Sequence, residues 1–247
     1  MAITEAGTLI DINTGGNADN GTTATFTVPA DAEIVIVATV NFAGGGDGNV
    51  AFNNGVVTMK KGGVDTALTP VPGNLSAASN FGGAMWYMVL PDTGTGKTIS
   101  WNWSGTTSTD RTNNFRLVFF KGIDTASAVR DSNGVSLTSL PCTTPTLTAQ
   151  SGDLIVAWFF AFNGGTEGTV DTWSNLTTLH QVALINACDG AFGSGSPSGN
   201  TTVGVTAVTN LATNFGGLVA LVLKPAGGGG AAIAPLAVHH RQQQGLQ

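Results

Sequence analysis

Charge is scarce in this chain. Lys and Arg number 9 and Asp and Glu 15, together 10% of 247 residues, against roughly 25% in an average soluble domain. The net charge of −6 and the small cation count argue against nucleic acid or an anionic membrane as partner. Cysteine stops at two, Cys142 and Cys188, with no C-x-x-C or Cys/His cluster to hold zinc. Unpaired thiols buried as small apolar groups are the first reading in a reducing compartment, and a disulfide formed after release from the cell is the other. Long apolar runs are missing as well, every one falling well short of the ~18 residues that a membrane helix needs. The opening MAITEAGTLIDI has neither a basic stretch nor an apolar one, so the expectation is a chain without a signal peptide that folds in a cytoplasm.

Catalytic vocabulary is equally thin. Of three histidines, His239 and His240 lie in the C-terminal tail, and His180 has no G-x-S-x-G serine to serve; it reads as a strand-face residue. Gly94-Thr95-Gly96-Lys97-Thr98 resembles part of a phosphate loop, but Pro91 occupies the place of the first glycine and a strand follows, so it reads as a turn. Asp11, Asp19, Asp47 and Asp189 occur singly in Gly/Asn-rich surroundings and match no EF-hand spacing; solvated loops are expected, with Ca²⁺ binding left open. No carboxylate pair stands out for glycoside hydrolysis. The expectation is a non-enzyme with no cofactor and no metal. Trp86, Trp101, Trp103 and Trp158 fall in strand patterns and are expected in the core, whereas Trp173 sits in a loop-like context and is the one aromatic expected to touch a ligand such as a glycan.

What the chain does have is glycine (35 residues), threonine, asparagine and short apolar segments, the composition of a β-protein with many turns. A chain of this length buries roughly 70–75% of its unfolded surface, enough to fold without metal or disulfide. Asp153 to Phe162 (DLIVAWFFAF) dominates: it is rich in β-branched and aromatic residues, so it reads as a strand. Leu154, Val156, Trp158, Phe160 and Phe162 then face one way and Ile155, Ala157, Phe159 and Ala161 the other, which demands cover on both sides. Glu33–Phe42, Ala84–Leu90 and Leu218–Leu223 are apolar on both faces too. Lys97–Ser104 alternates, with Ile99, Trp101 and Trp103 inward, and Phe115–Phe120 adds another strand whose Arg116 belongs to the solvent face or an interface. Thr8–Ile12 reads as an edge strand, Asn54-Gly55 and Gly62-Gly63 as hairpin turns, and Pro70–Gly83 as a long aperiodic connection.

The pattern also repeats. EIVIVATVNFAGG from Glu33 is echoed by DLIVAWFFAFNGG from Asp153, and RLVFFK from Arg116 by LVALVLK from Leu218. Residues 8–122 and 125–224 therefore read as related halves. With no linker between them, residues 1–225 are expected to form one β-sandwich domain of pseudo-two-fold symmetry. Residues 226–247 shift in composition: a glycine run acting as a flexible linker precedes a partly apolar tail in which Ile233, Leu236 and Val238 could dock on another protein.

Taken together, SGDLIVAW (Ser151–Trp158), AMWYMVLPDTGTGKTISWNWSG (Ala84–Gly105), FKGID (Phe120–Asp124) and GGLVALVLKP (Gly216–Pro225) give the chain a resemblance to the Gly/Thr-rich jelly-roll modules of bacteriophage virion proteins and bacterial surface proteins. The resemblance spans about residues 22–225 and rests on turns and strand starts, so it implies a fold and carries no functional residues across. It implies an all-β antiparallel sandwich of jelly-roll type with about ten to twelve strands. With no signal peptide, it points to a virion structural protein: a capsid decoration protein, head fibre or tail component. The alternative is a receptor- or carbohydrate-binding tip. The strands apolar on both faces lead to one further expectation, a homo-oligomer in which a neighbour covers the outer faces, alongside other virion proteins as partners.

Overall fold

The computed structural model describes residues 2–13, 20–43, 56–72, 75–78, 81–103, 111–162, 169–183, 188–209 and 216–227, and within them every regular element is a strand. The first set comprises β1 (Thr4–Glu5), β2 (Ile10–Asn13), β3 (Asn20–Thr22), β4 (Phe26–Val28), β5 (Ile34–Ala43), β6 (Val56–Lys61), β7 (Val64–Ala67), β8 (Thr69–Pro70), β9 (Leu75–Ala78), β10 (Phe81–Val89), β11 (Gly94–Lys97), β12 (Ser100–Asn102) and β13 (Arg111–Lys121). The second comprises β14 (Val129–Ser136), β15 (Cys142–Thr143), β16 (Leu154–Phe162), β17 (Thr169–Ser174), β18 (Thr177–Ala183), β19 (Cys188–Gly195), β20 (Gly204–Thr209) and β21 (Gly216–Leu223).

Pairing is antiparallel throughout these strands and stays within each set. In the first, β13 and β10 flank β5, with β1 and β2 along the far edge of β13 and β8 and β9 along that of β10. Opposite this large sheet lie the strands β3-β12-β6-β7 and the pair β11-β4. In the second set β14-β21-β16-β19-β18 form the large sheet and β15-β20-β17 the small one. The order β2-β13-β5-β10 over β3-β12-β6-β7 thus recurs as β14-β21-β16-β19 over β15-β20-β17. Just past the last strand of each set, Ile123 bridges to Pro225.

Side-chain alternation assigns the layers. From β5, Val35 and Val37 enter a core with Trp86, Phe115, Leu117, Phe119, Val57, Met59 and Trp101, between the two sheets of the first set. Ile34, Ile36, Ala38 and Val40 point the other way. From β16, Ile155, Ala157, Phe159 and Ala161 fill the core of the second set with Leu218, Ala220, Val222 and Val205. Its other face sends Val156, Trp158 and Phe160 towards β5, where they meet Ile36, Met85, Val118 and Phe120, with Phe192, Val219 and Leu221 alongside. The two large sheets therefore pack face to face and the small sheets lie outside them. This explains the strands apolar on both faces: each covers the other set within one chain, so those faces call for no neighbouring subunit.

The two large sheets approach closely where β10 meets β16. Gly83 sits under the Phe160 ring, and a Cβ built there would lie 2.5 Å from ring carbons. Elsewhere the sequence patterns appear directly. Ile99, Trp101 and Trp103 are all buried, and Trp101 and Trp103 pack against Phe115 with ring centroids 5.3 and 6.3 Å apart. Gly62 and Gly63, at φ 61° and 78°, make the two-residue turn between β6 and β7, whose Lys61 and Val64 are register partners. The Asn54-Gly55 turn lies outside the described residues.

Three expectations need correction. Pro70–Gly83 is not an unstructured connection: the end of β8, all of β9 and the start of β10 lie in it, because strands of two to four residues can pair on a sheet edge without any apolar period to reveal them. The strand count exceeds ten to twelve because each half builds a two-sheet core of its own and is not one half of a single shared sandwich, and because two- and three-residue strands such as β1, β8 and β15 have no pattern to read. Of the two places expected for Arg116, the solvent face is excluded: it shares the β13 face of Val118 and Phe120, which turns to the second set. It is 1% exposed on β13, 2.5 Å from Asp11 of the adjacent β2. Burial lowers Arg116 to about 10 and lifts the Asp11 carboxyl above its ordinary value, each partner's charge opposing the shift, so the pair adds little net stability.

The Gly83–Phe160 contact yields a test of the face-to-face packing. Gly83→Ala in the full chain should cost about 1–3 kcal/mol by overpacking, and Phe160→Ala about 3–5 kcal/mol by leaving a cavity. Combined, the two should cost clearly less than their sum in denaturant unfolding, since the new methyl enters space the ring vacates. Additive penalties would mean that the two residues do not touch.

Candidate functional site

A concavity lies at the end of the first large sheet where β5 begins and β10 and β13 finish. Register puts Ile34 opposite both Val89 and Phe120, so three chain turns distant in sequence converge there. The groove has a volume of about 710 Å³, within the range of ligand sites, and is lined by Ala30, Asp31, Ala32, Glu33, Leu90 and Pro91, with Lys121, Gly122 and the N-terminal Ala2 and Thr4 along one side. Its lining is mainly apolar.

Its polar groups are largely engaged. Lys121 Nζ donates to Asp31 Oδ2 at 2.5 Å, and this hydrogen bond holds the Asp31 carboxyl below its usual range. Glu33 Oε2 accepts the Ile123 N–H at 2.9 Å. Leu90 is the anomaly. Its N–H donates to Glu33 O at 2.7 Å, its φ is 55°, and its side chain is left 50% exposed. An L-residue with a large side chain in the left-handed region costs about 1–2 kcal/mol.

Trp173, the expected ligand contact, lies on β17 and not in a loop. It is half-buried: one ring face rests on Gly193 of β19, where a Cβ would lie 3.0 Å from the indole, and its Nε1 donates to Thr178 Oγ1 at 3.1 Å. The ring packs against the core of the second set. Register irregularities on both sides of Thr172 hid it, because they break the two-residue period by which a strand is read. A smaller hollow of about 400 Å³ nearby is lined by Leu154, Asn175, Leu176, Thr177, Ser194 and Ser196, without Trp173.

The other candidates sort as follows. Trp86, Trp101, Trp103 and Trp158 are all in the core. His180 lies on β18 with Nε2 2.5 Å from Glu5 Oε1 on β1, a contact between the two sets. Gly94–Lys97 is strand β11. Cys142 is a free buried thiol that burial pushes up to about 11. Asp11 and Asp189 belong to strands β2 and β19 and not to loops, since both register positions are filled. Asp19, Asp47, Ile233, Leu236 and Val238 lie outside the described residues, as do His239 and His240. Among the described residues no group of three or more His, Cys, Asp or Glu side chains converges.

No family model matches the chain, and neither a curated protein nor a solved structure matches it. The groove therefore has to be understood from its own residues. Sequence reading missed it because Pro29–Glu33, Leu90-Pro91 and Lys121-Gly122 each look like an ordinary strand stop; the positive φ of Leu90 has no sequence signal at all.

In a chain ending at Gly227, Leu90→Gly should raise stability by about 1 kcal/mol in denaturant unfolding, because glycine adopts φ 55° freely and the half-exposed leucine side chain buries little against the strands around it. A loss of stability would show that the leucine side chain packs usefully in the folded chain.

Proposed function

We propose that this chain is a non-enzymatic structural protein of a bacteriophage virion, a capsid decoration protein, head fibre or tail component, built from two jelly rolls. The observation that carries the reading is the strand order. In the first set β2-β13-β5-β10 over β3-β12-β6-β7 is the pairing expected of an eight-stranded jelly roll. The second set supports the same reading with β14-β21-β16-β19 over β15-β20-β17; there β18 extends the large sheet. Jelly rolls recur in viral capsids and in lectins, so the fold narrows the function without fixing it. The resemblance of the turn motifs to phage virion modules weighs towards the first.

On this reading the partners are capsid or tail proteins and further copies of the chain, meeting on surfaces other than the covered sheet faces. Exposed Val56 and Val64, at 48% and 66%, lie on strands β6 and β7 of an outer sheet, where such contacts can form. The competing reading, a receptor- or glycan-binding tip, has Trp173 as its candidate contact, and one face of that ring and its N–H are engaged.

Immunogold labelling of gradient-purified particles from the producing host, with antibody against this chain, should decorate intact virions. Recovery of the chain only in the soluble fraction, with unlabelled particles, would contradict the proposal. Saturable binding on a glycan array, lost in Trp173→Ala, would favour the tip instead.

A further inference from the structure

The groove beside Leu90 opens next to the point where the described chain ends. Ala226 N donates to Gly122 O at 2.8 Å, and Gly122 is part of the groove's lining. After Gly227 the sequence runs on for 20 residues, and its one apolar segment, Ile233–Val238 (IAPLAV), begins six residues later. Six residues span at most about 20 Å, enough to cross a groove of this size but not to reach the far end of a β-sheet of ten-residue strands.

Three properties of the groove suit that segment. It is lined by Ala30, Ala32, Pro91 and the half-exposed Leu90, small and medium apolar groups with room between them. Its charged residues are Asp31, Glu33 and Lys121, a net negative set, and the apolar segment is followed directly by His239, His240 and Arg241. Leu90 is held in a backbone conformation that favours glycine while offering its side chain to solvent at the rim. Strained residues of this kind cluster at ligand clamps and switch regions.

We propose that the groove is the seat of the chain's own C-terminal segment, Ile233–Val238 lying across Ala30–Glu33 and Leu90-Pro91 of the same molecule, with His239–Arg241 towards Asp31 and Glu33. This goes beyond the virion reading and does not rest on it: a docking arm stowed at its own root would serve any assembly in which the arm is later drawn out to a partner.

A photo-crosslinking residue placed at Leu236 of the full chain tests it. Peptide mapping should find adducts on residues 30–33 or 90–93, and in a mixture of light- and heavy-isotope protein they should join peptides of the same isotope. Leu90→Asp should lower the adduct yield about tenfold, the effect of putting a charge against an apolar contact, with the circular dichroism spectrum unchanged. Adducts elsewhere, adducts only between isotopes, no adducts at all, or a yield indifferent to Leu90→Asp would each overturn the proposal. Because particle labelling does not depend on where the segment sits, failure here leaves the virion reading separately testable.

Discussion

The structure depends on one layer, the apolar surface shared by the two large sheets. Ile34, Ile36, Val40, Met85, Val118 and Phe120 on one side meet Val156, Trp158, Phe160, Phe192, Val219, Leu221 and Leu223 on the other, all nearly or fully buried. Each such side chain left in water forgoes about 1.5–3 kcal/mol. A handful of them equals the whole net stability of a typical domain, about 5–15 kcal/mol. Neither large sheet can therefore stand exposed on this face. The layer also dictates sequence: β16 is apolar at every position and β5 from Ile34 through Ala38, and residues crossing between the sheets must be small where rings intervene, as Gly83 is beneath Phe160.

With so much of the surface closed by apolar contact, the few charges serve as fasteners at strand ends. Asp153, 1% exposed just ahead of β16, accepts Arg130 Nε at 2.6 Å and Nη2 at 3.1 Å as well as the Gln150 N–H at 2.8 Å. Glu33 occupies the corresponding place ahead of β5 and accepts the Ile123 N–H, tying the first strand of the central layer to the segment between the two sets. Asp92 accepts the Gly62 and Gly63 N–H groups at 2.6 and 2.9 Å and fixes the β6–β7 turn; those two bonds, Gly63's first, hold its carboxyl below the usual range. A carboxylate taking up backbone N–H groups satisfies donors that no strand partner reaches.

Much of this was legible in the sequence. The doubly apolar strands, the inward residues of Lys97–Ser104, the core tryptophans and the repeat all follow from side-chain period and composition, which are local. What was not legible is pairing across distance. The same doubly apolar pattern calls for cover without saying whose, and a second subunit and a second half of the same chain are equivalent to that reading. Short strands such as β8 and β9 pair because β10 offers them an edge, not because their own residues insist on it. The groove was hidden for a related reason: it is made by three turns brought together by register, and its most informative residue, Leu90, is marked by a backbone angle. Trp173 was placed in a loop because irregular pairing at Thr172 removed the alternation that marks a strand.

If the central layer makes the two sets one cooperative unit, amides of β5 (Ile34–Ala43) and β16 (Leu154–Phe162) must open together. Native-state hydrogen exchange of the full chain across a denaturant series measures this residue by residue. The account predicts that the slowest amides of both strands merge into one opening reaction with the same free energy and the same denaturant dependence. Separate openings, one strand losing protection while the other keeps it, would contradict it.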